Sequence, residues 1–132
     1  MPFLRALVVF LGTVSNCNTN SLFTINSQAF VPDPPTPGQD ATLWVDYTVP
    51  STTNVTGGTA VYTFTFNGIP FSPTVDDLCT QDGLVCPILG GTYNLSSTNT
   101  FPTGLSGKIT SKMEWFDDSG NSLLCSLTTV KV

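Results

Sequence analysis

Cys79 and Cys86 bracket six residues that include Asp82-Gly83, a pair suited to a tight turn with φ > 0. The segment can therefore fold back and bring its two sulfurs together. Two further cysteines, Cys17 and Cys125, lie near the ends of the chain. The pattern reads as a small clasp inside a large one, Cys79 with Cys86 and Cys17 with Cys125. Four cysteines permit three pairings, and spacing leaves the choice among them open. The chain has no histidine and no Cys-x-x-Cys pair, so neither a zinc site nor a thioredoxin-type motif fits the thiols. Disulfides in an oxidising compartment are the reading that remains.

The chain has 132 residues, enough for one domain with its own core. Four residues are Lys or Arg (Arg5, Lys108, Lys112 and Lys131) against nine Asp or Glu. No basic stripe exists to displace counterions, which excludes nucleic acid as a partner and disfavours strong electrostatic docking on an anionic membrane. Thr, Ser, Asn, Gly and Pro are plentiful while Ala, Glu, Lys and Arg are scarce. That mixture suits short strands and tight turns and forms helices poorly.

Residues 1–15 read as a short secretory leader: Arg5, then the apolar run Ala6 to Gly12, then small polar residues at Thr13 to Ser15. Val8-Val9-Phe10 would serve equally as a first strand. Residues 16–132 form the domain. Leu22 to Val31 is expected as a strand, and the Pro32 to Gly38 stretch as a rigid connection. In Ala41 to Val49, Leu43, Val45, Tyr47 and Val49 share one face. Pro50 to Gly58 reads as a polar loop. Tyr62, Phe64 and Phe66 share a face of Ala60 to Phe66, and Asn67-Gly68 is a hairpin turn. Thr92 to Ser97 is a further strand. In Lys108 to Phe116, Ile109, Met113 and Trp115 point inward; Asp117 to Asn121 turns into a last strand from Leu123 to Val132. The expected fold is all-β: a β-sandwich of about seven strands in two antiparallel sheets. Trp44 lies on the polar face of its strand and far from Cys17, so the Cys-Trp-Cys signature of true immunoglobulin domains is not met.

Catalytic chemistry finds little support. Without histidine the usual general base is missing. Asp76-Asp77 and Asp117-Asp118 are neighbours on extended chain and point apart, unlike a glycosidase pair. No calcium loop, nucleophile elbow or phosphate-cradling loop occurs. The expectation is a non-enzyme without cofactor or metal. Asn54-Val55-Thr56 and Asn94-Leu95-Ser96 are N-glycosylation sequons, relevant if the chain is secreted.

Four segments together resemble the ML lipid-recognition domains, a family that includes the Niemann–Pick type C sterol carrier and fungal phosphatidylglycerol/phosphatidylinositol transfer proteins. They are Pro32-Asp33-Pro34-Pro35 with Pro37-Gly38, Asp77-Leu78-Cys79 followed by Cys86-Pro87-Ile88, Lys108 to Trp115, and Leu123-Leu124-Cys125. The resemblance runs from about Cys17 to Val132. It implies an immunoglobulin-like sandwich with splayed sheets and an apolar pocket between them for a sterol or a phospholipid tail. It also implies the pairs Cys17–Cys125 and Cys79–Cys86. The third disulfide common in the family is missing, and the proline-rich stretch occupies its region.

By the same resemblance Phe71, Phe101 and Leu105 fall at the pocket mouth, and Tyr62, Phe64, Ile109, Met113 and Trp115 on its walls. The implied partners are a lipid and, transiently, a membrane, in a secreted or lysosome- or vacuole-like lumenal setting. A structural module, with a filled pocket and a protein assembly partner, is the alternative. Lys108 and Lys112 point outward, which leaves the mouth without a cation for a phosphate and tilts the expectation to a neutral lipid or sterol.

Overall fold

A computed structural model describes residues 13–31, 36–81, 83–100, 103–104 and 106–131. The leader through Gly12, Pro32 to Pro35, Phe101 and Leu105 lie outside the described residues. The described chain forms nine strands: β1 (Thr13–Asn16), β2 (Thr24–Val31), β3 (Asp40–Val55), β4 (Gly58–Phe66), β5 (Ile69–Pro70), β6 (Thr74–Asp77), β7 (Ile88–Thr100), β8 (Lys108–Asp117) and β9 (Ser122–Lys131). A single 3₁₀ turn, Leu78–Thr80, follows β6. One sheet runs β1-β9-β8-β4-β5, with β6 also on β4; the other runs β2-β3-β7. Every pairing is antiparallel, so the all-β, two-sheet expectation holds.

Sequence and structure differ in several strands. The polar loop expected over Pro50 to Gly58 is mostly strand: β3 continues to Val55, with a register shift between Val49 and Asn54. Pro50 has no amide to donate, so the ladder bulges there and resumes on the β-branched run that follows. Gly90 lies against that bulge; a Cβ on it would sit 2.5 Å from the Ser51 Cα. Residues 13–15, which the sequence left between the end of a leader and a first strand, lie in β1 and pair with β9. β6 was not expected because all four of its residues are exposed, so it carries no apolar alternation to read.

Turn chemistry fixes two of the corners. Asn67 and Gly68, at φ 51° and 80°, give a two-residue hairpin in which Phe66 pairs with Ile69. At the β8–β9 hairpin the Asp117 carboxylate accepts from the Asn121 amide at 2.9 Å and the Ser119 amide at 3.0 Å. Those bonds, the Asn121 amide first, hold the Asp117 carboxyl below the usual carboxylate range.

The two sheets are joined along the β1–β9 side of one and the β2 edge of the other. Both disulfides expected from the sequence are formed. Cys17–Cys125 ties the entry to β2 onto β9, with Cα atoms 5.1 Å apart, and Cys79–Cys86 closes the loop before β7, at 5.6 Å. Leu22 and Phe23 donate backbone bonds to Ser122 and Leu123 at 3.0 and 2.8 Å. Farther along, the Ser126 hydroxyl donates to Gln28 Oε1 at 2.8 Å, crossing the interior from β9 to β2.

Half of the interior is solid. Tyr47 stacks between Phe23 and Tyr93 and meets the Trp115 ring edge-on at 5.5 Å. Val45, Val49, Ala60, Leu78, Ile88 and Leu124 are among the buried residues of this cluster, and Tyr93 packs against it partly buried. Burial, with Tyr93 adding a smaller effect of the same sign, pushes the Tyr47 phenol up to about 12. A smaller cluster, Ile109 and Val130 with Phe30, Phe64 and Phe66 packed on it, lies at the other end.

Candidate functional site: a cavity between the sheets

Register fixes which side chains meet inside. On the larger sheet Ile109 pairs with Val130 and Phe66, Ser111 with Thr128 and Phe64, and Met113 with Ser126 and Tyr62. On the smaller sheet Leu43 lies between Phe30 and Ser97, and the next inward position, Val45, lies between Gln28 and Leu95. Between the Ile109, Ser111 and Met113 rows of the first and the Leu43 row of the second is a cavity of about 650 Å³. That is within the roughly 300–1,000 Å³ range of small-molecule sites. Gln28 and Ser126 do not line it; their hydrogen bond stands where the hollow half gives way to the solid one.

The reason for the hollow is in the inward positions themselves. In the solid half they carry Tyr47, Val49, Trp115 and Leu124. In the hollow half, Ser97, Ser111 and Thr128 occupy inward positions where a filled sandwich would place branched aliphatic side chains. Ser111 stays exposed although Ile109 and Met113, on either side of it on the same face, are buried. A serine too short to reach the opposite sheet leaves the space open.

The cavity opens between β7 and the β5–β6 side of the larger sheet. Its exposed lining residues mark the mouth: Phe71, Ser72, Thr74 and Asp76 on one lip, Asn99 and Thr100 on the other. Phe71 is 53% exposed and its ring lies 5.2 Å from that of Phe64, tilted by 54°. Its amide donates to the Phe64 carbonyl at 2.9 Å. Inside the mouth the Tyr62 hydroxyl donates to Gln81 Oε1, and Gln81 in turn donates to the Asp77 carbonyl at 3.0 Å. Walls of Phe30, Ala41, Leu43, Phe64, Ile109 and Val130 are apolar; the mouth is hydroxyl- and amide-rich and, among the described residues, carries one carboxylate, Asp76. Among the described residues no Lys or Arg lines the cavity. Lys112 is on the outer face, 3.5 Å from Glu114.

The site residues expected from the sequence divide three ways. Phe71, Tyr62, Phe64, Ile109 and Met113 come together on the cavity. Trp115 does not line it: it is wholly buried in the solid half against Tyr47, because the Leu124 and Ala60 row to which it belongs meets a fully packed opposite sheet. Phe101 and Leu105 lie outside the described residues. Sequence reasoning passed over Phe30 and Val130 on the walls and the polar groups Ser97, Asn99, Ser111 and Thr128. The signal for the latter was available as hydroxyls and one amide at inward positions of otherwise apolar rows.

The profile of the ML domain family matches residues 13–132. The chain belongs to the ML family. A Dictyostelium discoideum protein named as a phosphatidylglycerol/phosphatidylinositol transfer protein is 34% identical over 130 residues, covering 93% of this chain and 89% of the relative. A second protein of that organism, similarly named, is 31% identical over 80 residues, covering 61% of this chain and 52% of the relative. Among solved structures, a Niemann–Pick type C2 protein from the Japanese carpenter ant superposes with a TM-score of 0.68 at 14% identity, covering 90% of this chain and 98% of that one. Chicken MD-1, solved in complex with lipid IVa, gives 0.62 at 13% identity, covering 93% and 90%. At such identities the structural likeness is one of fold, and the ML sandwich is the fold they share.

Proposed function

We propose that this ML protein binds a lipid with its hydrocarbon part between the two sheets and transfers it between membranes. The observation that carries this reading is the cavity of about 650 Å³, apolar on its walls and open at a mouth that bears Phe71. Each methylene moved from water onto such walls contributes about 0.8 kcal/mol. A tail of several methylenes therefore outweighs the cost of immobilising it. The names borne by the Dictyostelium relatives and the lipid in the MD-1 complex point the same way.

The mouth favours a neutral, hydroxyl-bearing head group over a phosphodiester. Ser72, Thr74, Asn99 and Thr100 offer hydrogen bonds, while Asp76 is unfavourable to an anion and, among the described residues, no Lys or Arg lines the cavity to offset it. The expected ligand class is a sterol or an uncharged glycerolipid, which would set this chain apart from relatives named for phosphatidylglycerol and phosphatidylinositol. Two disulfides favour a secreted or lumenal location. Phe71, Tyr62, Phe64, Ile109 and Met113 are assigned to contact the ligand.

Native mass spectrometry of the purified protein, followed by lipid extraction, tests the reading. A stoichiometric lipid, or uptake from vesicles of phosphatidylcholine with cholesterol, is expected. A protein that arrives empty and takes up neither sterol nor phospholipid would leave the family's sandwich serving as a plain structural module.

A further inference from the structure

The second face of the three-stranded sheet, turned away from the cavity, carries both sequons. Asn54 on β3 and Asn94 on β7 are exposed, while Val55 and Leu95, the middle residues of the two motifs, are buried in the core. The surroundings of Asn94 single it out. Register sets Asn94 opposite Asp46 and Ser96 opposite Trp44, so Asn94 and the indole are diagonal neighbours on one face. Trp44 is 49% exposed on a face otherwise made largely of Thr, Ser and Asn. Trp44, Asn94, Asp46 and Ala29 line a shallow groove of about 200 Å³.

Hydrogen bonding also separates this asparagine from its neighbour across the face. Asn26 commits its amide nitrogen to Asp46 Oδ1 and Thr48 Oγ1, both at 2.9 Å. Asn94 makes no such bond among the described residues. Its amide nitrogen, on the exposed outer face, is thus not held by a neighbouring side chain as that of Asn26 is. β7 is moreover the edge of its sheet. Its thirteen residues include no charge and no proline, the devices that usually stop an edge from pairing with another chain.

We propose that Asn94 carries an N-linked glycan whose first N-acetylglucosamine lies along this groove and covers the exposed face of Trp44. The donor is a lipid-pyrophosphate-linked oligosaccharide of the secretory pathway. The Asn94 amide nitrogen forms a bond to the anomeric carbon, the bond from that carbon to the pyrophosphate oxygen breaks, the lipid pyrophosphate leaves, and the amide proton passes to base. The C–H bonds of the sugar ring then meet the electron-rich indole face, and the glycan supplies bulk and water on the unprotected edge. This inference concerns the opposite face of the sheet from the cavity and stands whether or not a lipid binds.

The full chain secreted from eukaryotic cells tests it. Peptide mass spectrometry is expected to find Asn94 glycosylated. Acrylamide quenching of tryptophan fluorescence reads the contact, because Trp115 is wholly buried and gives a fixed background. Trimming with endoglycosidase H leaves the first sugar and is expected to leave quenching unchanged. Full removal with peptide N-glycosidase F is expected to raise it, and the secreted Ser96→Ala and Asn94→Gln proteins should match that raised value. An unmodified Asn94 in the secreted chain overturns the proposal. So does a modified Asn94 whose removal leaves Trp44 quenched no more than before.

Discussion

Phe71 stands half exposed at the mouth against Phe64, so its ring contributes little to folding, and under the proposed function it would meet the entering lipid. Phe71→Asp is expected to leave the urea-derived unfolding free energy within about 0.5 kcal/mol of the parent, as for exposed substitutions generally, and to cut lipid uptake by about tenfold or more, the loss of one buried aromatic contact. Ser111 offers the complementary change. Ser111→Leu should place a branched side chain in the hollow, raising thermal stability while reducing uptake, whereas a substitution in an already filled core would lower both. Tyr47 sets an alkaline limit. Its phenol titrates near 12 in the folded chain and near 10 when unfolded, so the native state binds its proton more tightly. Stability should be independent of this group below about pH 10 and fall as pH rises from 10 towards 12. Denaturant melts across that window check the slope, and Tyr47→Phe should flatten it.

At the scale of strands, the parts that one buried face dictates were readable before any coordinates. Val45, Tyr47 and Val49, and Ala60, Tyr62 and Phe64, alternate because one side of each strand meets the opposite sheet. Asn67-Gly68 forms its hairpin because both residues tolerate positive φ. What could not be read has a common physical cause: no apolar periodicity marks it. β6 is exposed throughout, β1 is a short edge, and beyond its proline β3 continues as the polar run Ser51-Thr52-Thr53-Asn54. The cavity itself was legible only through family resemblance, since a hollow sandwich and a filled one need the same inward residues except where Ser97, Ser111 and Thr128 intervene. Trp115 shows the limit of alternation: it correctly points inward, yet the row it joins is packed. Among the connections, the Cys79–Cys86 loop carries its own expectation. In a chain-entropy treatment its closure is worth about 2.5 kcal/mol, and that of Cys17–Cys125 about 4.7 kcal/mol. Replacing the pairs with alanines should lower the urea-derived stability in that order, the longer loop losing more.

For the molecule as a whole, two sheets clamped along one side, solid in one half and hollow in the other, form a sandwich whose proposed selectivity would reside in shape and in a mouth that bears no Lys or Arg among the described residues. A net charge of −5 would add to the preference proposed for that mouth. Uptake from neutral vesicles should therefore exceed uptake from vesicles rich in phosphatidylglycerol, and the gap should narrow as salt rises. The unfilled space has one more consequence, mechanical in nature. Water that floods an interior on unfolding eliminates its voids, so hydrostatic compression drives that transition. The vacant container should collapse into its denatured form at lower pressure than the loaded one, and the difference in the volume of unfolding would measure how much of the hollow the guest occupies.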